Sequence, residues 1–81
     1  MEWNETEVIY LKSLKTLSDN CRTLRIARRW TPFTLSAEAN VSLQTIYNIE
    51  NGAGNITIKI LESVAFALGV TSIELLGNKT Q

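Results

Sequence analysis

The segment from residue 35 to residue 52 constrains the fold of this chain more than any other stretch. Its apolar residues recur at helical spacing on both sides of a single interruption, which predicts two short helices joined by a tight turn. The interruption falls at Asn40, and asparagine is among the few residues other than glycine that tolerate a left-handed backbone. Ser42 follows closely, and its hydroxyl is suited to cap the second helix. The apolar positions that the turn must bring together are Leu35, Ala39, Val41, Ile46 and Ile49.

The length and composition of the chain allow one small domain with one core. It has 81 residues, and 44% of them are apolar. Cys21 is the only cysteine and histidine is absent, which excludes disulfides within the chain and ordinary zinc sites, so we expect no metal and no cofactor. A reducing cytoplasmic setting fits this cysteine usage. No stretch approaches the roughly 18 apolar residues that a membrane span needs, so no membrane partner is expected.

Charge is balanced overall but unevenly distributed along the chain. Eight basic and eight acidic residues give a formal net charge of zero, which weakens the electrostatic attraction that supplies most generic affinity for nucleic acids. Acidic residues are concentrated in the first seven positions, whereas four arginines fall between residues 22 and 29. A neutral chain can therefore still present a basic face. The alternative is that these arginines form an ordinary solvated helix face.

Signals for helix starts and stops, and the lack of strand-like alternation, predict an all-α chain. Residues 1–15 form a leader in which Asn4 and Glu7 make a capping-box pattern, so it is either a short extra helix or the start of one long helix. The main domain should span residues 16–77, with a tail at 78–81. Its five helices are expected at about 17–29, 32–39, 43–50, 58–68 and 72–76.

Proline, glycine and hydroxyl residues set the boundaries of these helices. Thr31 is a good N-cap, and Pro32 after it is favoured at the first helical position. Asn51-Gly52 is a typical stop, and Thr57 is placed to cap the fourth helix. The residues expected to face the core from the first and fourth helices are Leu17, Cys21, Leu24, Ile58, Leu61, Val64, Ala65 and Leu68.

Two stretches carry a resemblance to a known family. VSLQTIYNIENG, at residues 41–52, resembles the V-S-x-x-T-I-x-x-I-E-x-G pattern of Cro/phage-repressor (XRE-like) helix-turn-helix domains. LESVAFALGVTSIELL, at 61–76, matches the last two helices of that family, and GNITIKILE, at 54–62, is similar to restriction–modification controller proteins. The resemblance covers about residues 17–76 and implies a compact five-helix lambda-repressor-like domain that binds double-stranded DNA.

The helix expected at 43–50 is the predicted DNA-reading element, because its exposed face carries hydrogen-bonding groups while Ile46 and Ile49 anchor it. Such a helix fits the roughly 12 Å wide major groove. Gln44 and Asn48 can each pair bidentately with adenine, and each good contact gives about 1–3 kcal/mol of discrimination. The predicted base-contacting residues are Leu43, Gln44, Thr45, Tyr47 and Asn48.

Phosphate contacts are expected at the edges of the same unit. Ser42 stands at a helix N-terminus, where hydroxyl, backbone N–H groups and helix dipole all favour an anion. An arginine at a helix C-terminus has a second explanation, since it also compensates the helix dipole. The predicted phosphate-contacting residues are Arg28, Arg29, Ser42, Asn51 and Asn55.

The resemblance also implies a structural ion pair. In the family, the arginine and glutamate that match Arg25 and Glu50 form a largely buried salt bridge between helix 1 and helix 3. We therefore expect both residues to hold the fold and Glu50 not to contact DNA, where it would repel phosphate. Where this chain departs from the family, Pro32 replaces a glutamine that contacts phosphate and braces the recognition helix, and Arg29 replaces a glycine that closes helix 1.

The leading hypothesis is a DNA-binding repressor or controller that acts as a homodimer in a bacterial or phage-infected cell. One such helix reads only a few base pairs, so a palindromic operator with half-sites about one helical turn apart is expected. The predicted dimer surface is the C-terminal region, with Ile73 and Leu75 as its residues, and the N-terminal leader is the alternative.

A second hypothesis is a protein-interaction module, such as an antitoxin or antirepressor, that uses the same fold to bind a toxin or another regulator. The neutral charge, the acidic leader and Pro32 favour this alternative. An enzyme is not expected, because without histidine the chain offers no base for a serine or cysteine nucleophile. Cys21 lies on the apolar stripe and is predicted to be a small core residue.

Overall fold

In the part of the chain that the structure describes, five α-helices pack around one apolar core. A computed structural model describes residues 4–53 and 55–77, and within that part there is no β-strand. The predicted all-α, five-helix fold is therefore confirmed, and the last four helices have the expected bounds; the tail at 78–81 lies outside the described residues. The helices are α1 (Glu5–Ala27), α2 (Pro32–Ala39), α3 (Leu43–Glu50), α4 (Ile58–Leu68) and α5 (Ser72–Leu76).

Helix α1 includes most of the leader. The side chain of Asn4 accepts a hydrogen bond from the N–H of Glu7 at 2.8 Å, and the Glu7 carboxylate accepts one from the N–H of Asn4 at 3.3 Å. This capping box, which the sequence predicted, starts a helix of 23 residues that has no interruption. Of the two alternatives for the leader, one long helix is confirmed, and a separate start near residue 17 is wrong. The reason is that no glycine or proline occurs between residues 5 and 27 to break the helix.

Four helices end in the same way, with one residue in the left-handed conformation. At the end of α1 that residue is Arg29, with φ of 60°, and the helix stops at Ala27 rather than at Arg29. The N–H of Trp30 bonds to the carbonyl of Arg25 at 3.1 Å, and the N–H of Arg29 bonds to that of Ile26 at 2.8 Å. These two bonds define a Schellman motif. The same pair of bonds follows α2, α3 and α4, where the left-handed residues are Asn40, Gly52 and Gly69.

All five helices contribute to the core. Its largest fully buried side chains include Leu35 from α2, Ile46 and Ile49 from α3, and Val64 from α4. The expectation for Ile58 is wrong, because this residue is 75% exposed. It lies in line with Glu62 and Phe66, four and eight residues later, on the outer face of α4. The remaining buried apolar residues are Leu17, Cys21, Ala39, Leu61, Ala65, Leu68 and Leu75.

The left-handed conformation of Arg29 leads to a stability prediction. A residue with a side chain in this conformation costs roughly 1–2 kcal/mol that glycine avoids. We expect Arg29→Gly to raise the free energy of unfolding by up to about 1 kcal/mol, measured by urea denaturation, because greater freedom of glycine in the unfolded state offsets part of the gain. Arg29→Ala is the matched control, since it removes the same side chain and keeps the strain. Equal stabilities of the two variants would contradict the explanation.

Candidate nucleic-acid interface

The turn between α2 and α3 fixes the angle at which α3 is presented. Asn40 has φ of 57°, and the N–H of Val41 bonds back to the carbonyl of Ser36 at 3.0 Å. Ser42 then caps α3 by accepting a hydrogen bond from the N–H of Thr45 at 3.0 Å. Thr31 caps α2 in the same way, at 3.1 Å. Neither helix has an acidic residue in its first turn, so both N-termini keep the partial positive charge of the helix dipole.

Helix α3 has one buried face and one face that is open to solvent. Ile46 and Ile49 are fully buried and hold the helix against the core. The predicted base-contacting residues lie on the other positions: Gln44 and Tyr47 are exposed, and Leu43, Thr45 and Asn48 are half-buried. The five side chains therefore belong to one element of eight residues, on a surface without any charged group.

Two of these side chains are paired. The amide nitrogen Nε2 of Gln44 donates a hydrogen bond to Oδ1 of Asn48 at 3.0 Å. The pair fixes the orientation of both amides: Gln44 keeps a free Oε1 and one N–H, and Asn48 keeps its NH₂ group. The sequence predicted that Gln44 and Asn48 contact bases independently, whereas in the structure a hydrogen bond links the two side chains. The glutamine that braces the recognition helix in the family is replaced here by Pro32, and Asn48 supplies an amide partner to Gln44 from within α3.

Glu50, the last residue of α3, is bound to α1 by a two-pronged ion pair. Nε of Arg25 lies 2.7 Å from Oε2 of Glu50, and Nη2 of Arg25 lies 2.9 Å from Oε1. The Arg25 and Glu50 side chains are only 12% and 7% exposed. Hydrogen bonding to Glu50 raises the pKa of the Arg25 guanidinium above its ordinary value, so Arg25 stays charged. A third N–H of Arg25 reaches the carbonyl of Trp30 at 2.8 Å.

Two further α1 residues that the sequence reasoning missed also hold Glu50. The hydroxyl of Ser18 donates to the Glu50 carbonyl at 2.6 Å, and Arg22 donates to the same carbonyl through Nη2. Arg22 also places Nε 3.8 Å from the Glu50 carboxylate. Ser18, Arg22 and Arg25 are spaced at i, i+4 and i+7, so helical periodicity would have put them on one face.

Cys21 is enclosed by the same contacts. Its side chain is fully buried, and Sγ lies 3.8 Å from a carboxylate oxygen of Glu50. Burial, followed by the negative charge of Glu50, raises the pKa of the Cys21 thiol to about 12. A thiol that stays protonated and inaccessible is a poor nucleophile, so the residue is structural, as its place on the apolar stripe indicated.

The predicted phosphate-contacting residues lie in different surroundings. Ser42, Asn51 and Asn55 are exposed at the two ends of α3, and Arg29 is exposed at the end of α1. Arg28 is also exposed, and its role at a phosphate stays a prediction, but part of its guanidinium is engaged elsewhere. Its Nη2 donates to the Leu68 carbonyl at 3.0 Å, and its guanidinium stacks 5.1 Å from the centre of the Trp30 ring. The end of α4 offers unpaired carbonyls, and this cation satisfies one of them.

The two residues predicted for a dimer surface have opposite environments. Leu75 is fully buried in the core of its own chain, so it cannot face a second copy, and that expectation is corrected. The cause is the short α5 helix, which turns Leu75 inward while Asn20 of α1 donates hydrogen bonds to the carbonyls at its end. Ile73 is 80% exposed and stays a prediction.

Within the described residues, no helix is long and apolar enough to cross a membrane. In the same part of the chain, histidine, cysteine, aspartate and glutamate form no cluster of three or more that could hold a metal ion.

The buried ion pair leads to a stability prediction. Glu50→Gln or Arg25→Ala leaves one buried charge without its partner, which costs about 3–5 kcal/mol. We expect urea denaturation to show a loss of that size for either variant. Lys59→Ala on α4 is the control, because Lys59 is exposed and its loss should change stability by less than about 0.5 kcal/mol. A stable Arg25→Ala variant would show that the pair does not hold α1 to α3.

The raised pKa of Cys21 leads to a second prediction. Above the unfolded value of 9.0 the unfolded chain ionises while the folded chain stays protonated up to about 12, so stability falls as pH rises. Between pH 8 and pH 10 this one group should lower the free energy of unfolding by about 1.4 kcal/mol. Cys21→Ala is the reference, because other titrating groups are shared and only the thiol is lost. Parallel pH profiles of the two proteins would rule out the effect.

Comparison with known proteins agrees with the arrangement of α2 and α3. A family model described as helix-turn-helix matches residues 22–76, which is more than half of the chain. A solved structure described as a hypothetical transcription factor, NHTF, from Neisseria is similar, with a TM-score of 0.75 and 26% sequence identity; the match covers 79% of this chain and 74% of that one. No curated protein sequence matches significantly. The chain belongs to the helix-turn-helix family of the XRE type.

Proposed function

We propose that this chain is a DNA-binding transcriptional regulator that reads a specific sequence by inserting α3 into the major groove. The observation that carries the proposal is the outer face of α3, which is uncharged, rich in hydrogen-bonding groups and held rigidly to α1 through Glu50. The family match and the transcription factor with the similar fold support the same reading. The rigidity of α3 matters for affinity. If the helix had to become ordered on binding, the entropy cost would offset part of the free energy gained from base contacts.

Base readout is assigned to the side chains on this face. The free Oε1 and N–H of Gln44 match the N6 and N7 edge of adenine, and the NH₂ group of Asn48 matches an edge that only accepts. Leu43 and the methyl group of Thr45 suit a thymine methyl group, and Tyr47 completes the face.

Phosphate contacts are assigned to the edges of the unit. Ser42, with the N-terminus of α3, binds one phosphate, and Arg29, Asn51 and Asn55 are the other donors. With a net charge of zero the chain neutralises few phosphates. Its affinity should therefore depend on salt less steeply than that of a basic repressor, because the slope follows the number of phosphates neutralised.

The regulator is proposed to act as a homodimer on a palindromic operator in the cytoplasm of a bacterial or phage-infected cell. A single α3 helix of eight residues reaches only a few base pairs. Two copies, with half-sites separated by about 34–36 Å, give the specificity that control of a promoter needs. Occupancy of the operator then blocks polymerase or, in a controller, recruits it.

A second candidate function is an antitoxin or antirepressor that binds another protein through this fold. Its specific support is the pair of exposed apolar side chains Phe66 and Ile73, which are 87% and 80% exposed. Exposed apolar side chains mark a protein contact when they form a contiguous patch, so this function requires Phe66 and Ile73 to belong to one patch. Purification from the native host tests it: a stoichiometric second polypeptide, together with no DNA selectivity, would favour this function.

Selection from random DNA tests the leading proposal. We expect a palindrome whose half-sites contain adenine at the positions read by α3, and affinity for it that falls as salt rises. If the selection enriches no sequence, the proposal is wrong. If it enriches a single half-site, sequence-specific DNA binding stands but the proposed homodimer does not.

The amide pair leads to a prediction about specificity. Gln44→Ala and Asn48→Ala should each weaken binding to the selected operator by about 1–3 kcal/mol. The double variant should lose less than the sum, because each amide orients the other. Binding to unrelated DNA is the internal control and should not change, since the phosphate contacts remain. Strict additivity on the operator would show that the two residues act independently.

A further inference from the structure

The beginning of α1 extends beyond the part of the helix that packs on the core. Every residue from 5 to 12 is exposed, although four of them in succession are apolar. Tyr10 and Leu11 turn back towards their own domain, where each lines a groove. By helical spacing, Val8 and Ile9 lie on the side of α1 away from its core-facing residues Leu17 and Cys21, and they are 37% and 60% exposed. Four consecutive apolar residues place apolar side chains on every side of the helix, which is typical of a buried helix. We therefore expect another protein surface to cover the exposed side of this extension.

The outward face of the extension has a self-complementary pattern. Glu5, Val8, Ile9 and Lys12 are spaced at i, i+3, i+4 and i+7, so they share one face over two turns. Read from either end, the pattern is a charge, two apolar residues and a charge of opposite sign. When two such helices lie antiparallel about a two-fold axis between residues 8 and 9, Val8 faces Ile9 and Glu5 faces Lys12, each pair occurring twice.

We infer that this face, formed by Glu5, Val8, Ile9 and Lys12, is the contact between two copies of the chain. The inference rests on the proposed homodimer and names its surface. Charge complementarity selects a second copy over an unrelated protein, because the same four residues supply both halves of a two-fold contact. Parallel pairing would bring Glu5 against Glu5 and Lys12 against Lys12, so the charges also fix the direction.

The contact is small, which sets its strength. Two helical turns from each copy bury less than the roughly 1,000 Å² expected of a stable interface, so the dimer in free solution is weak. On an operator, DNA holds the two copies side by side at a high effective concentration. A weak contact between them then makes binding to the two half-sites cooperative. The two-fold arrangement of the contact matches the symmetry of a palindromic site.

Charge reversal tests the inference. Glu5→Lys and Lys12→Glu, made singly, should each weaken self-association about tenfold or more, because like charges then face each other twice. The double variant Glu5→Lys with Lys12→Glu should recover the wild-type dissociation constant, and an equimolar mixture of the two single variants should form heterodimers. Sedimentation equilibrium gives the constants, and circular dichroism checks that each variant keeps its helix content.

Apolar substitutions provide the matched comparison. Ile9→Ser should weaken the dimer, whereas Phe66→Ser and Ile73→Lys, at exposed apolar positions elsewhere, should not. A dimer that survives Ile9→Ser and both charge reversals, or one that Ile73→Lys abolishes, would overturn the inference and leave the homodimer standing. A wild-type chain that stays monomeric even on the selected palindrome would remove the proposed homodimer itself, and with it this contact.

Discussion

The ion pair between Arg25 and Glu50 is the interaction on which the rest of the structure depends. It joins α1, the longest helix, to α3, the helix that we propose faces DNA, and both charges are almost completely removed from water. Such a pair is costly to desolvate, so its geometry and its additional hydrogen bonds decide whether it is tolerated. Here Ser18 and Arg22 hold the backbone carbonyl of Glu50 while Arg25 holds its carboxylate. One glutamate therefore fixes both the position and the direction of α3.

The helix ends determine how the remaining elements are arranged around this pair. Four consecutive Schellman motifs turn the chain tightly, which lets three short helices pack against α1 without long loops. Only one of the four left-handed residues, Arg29, has a long side chain, and its neighbour Arg28 braces the end of α4. Arginines that looked like a basic surface in the sequence are thus partly used inside the fold. The exposed face of α3 therefore carries amide and methyl groups rather than charged groups.

Some features could be predicted from the sequence because local chemistry decides them. The caps at Thr31 and Ser42 and the stop at Asn40 are properties of a few neighbouring residues, and the structure has each of them. The errors have a different origin. Ile58 and Leu75 are apolar residues on short helices, and their burial depends on how each helix rolls against its neighbours. The sequence left open whether the leader and the first helix are continuous, and the structure has one long helix because no glycine or proline between residues 5 and 27 interrupts it.

By itself, the sequence determined the class of fold, the two-helix unit and the set of residues on the outer face of α3, since these follow from periodicity, capping and side-chain chemistry. Only the tertiary structure decided which charged side chains make interactions that stabilise the fold. Arg22, Arg28 and Arg29 have the same chemistry and are all exposed at the surface, yet Arg22 and Arg28 each also bind a carbonyl of another helix. The physical reason is that a guanidinium bonds to whichever unpaired carbonyl the packing of helices brings within reach, and that distance cannot be read from spacing along the chain.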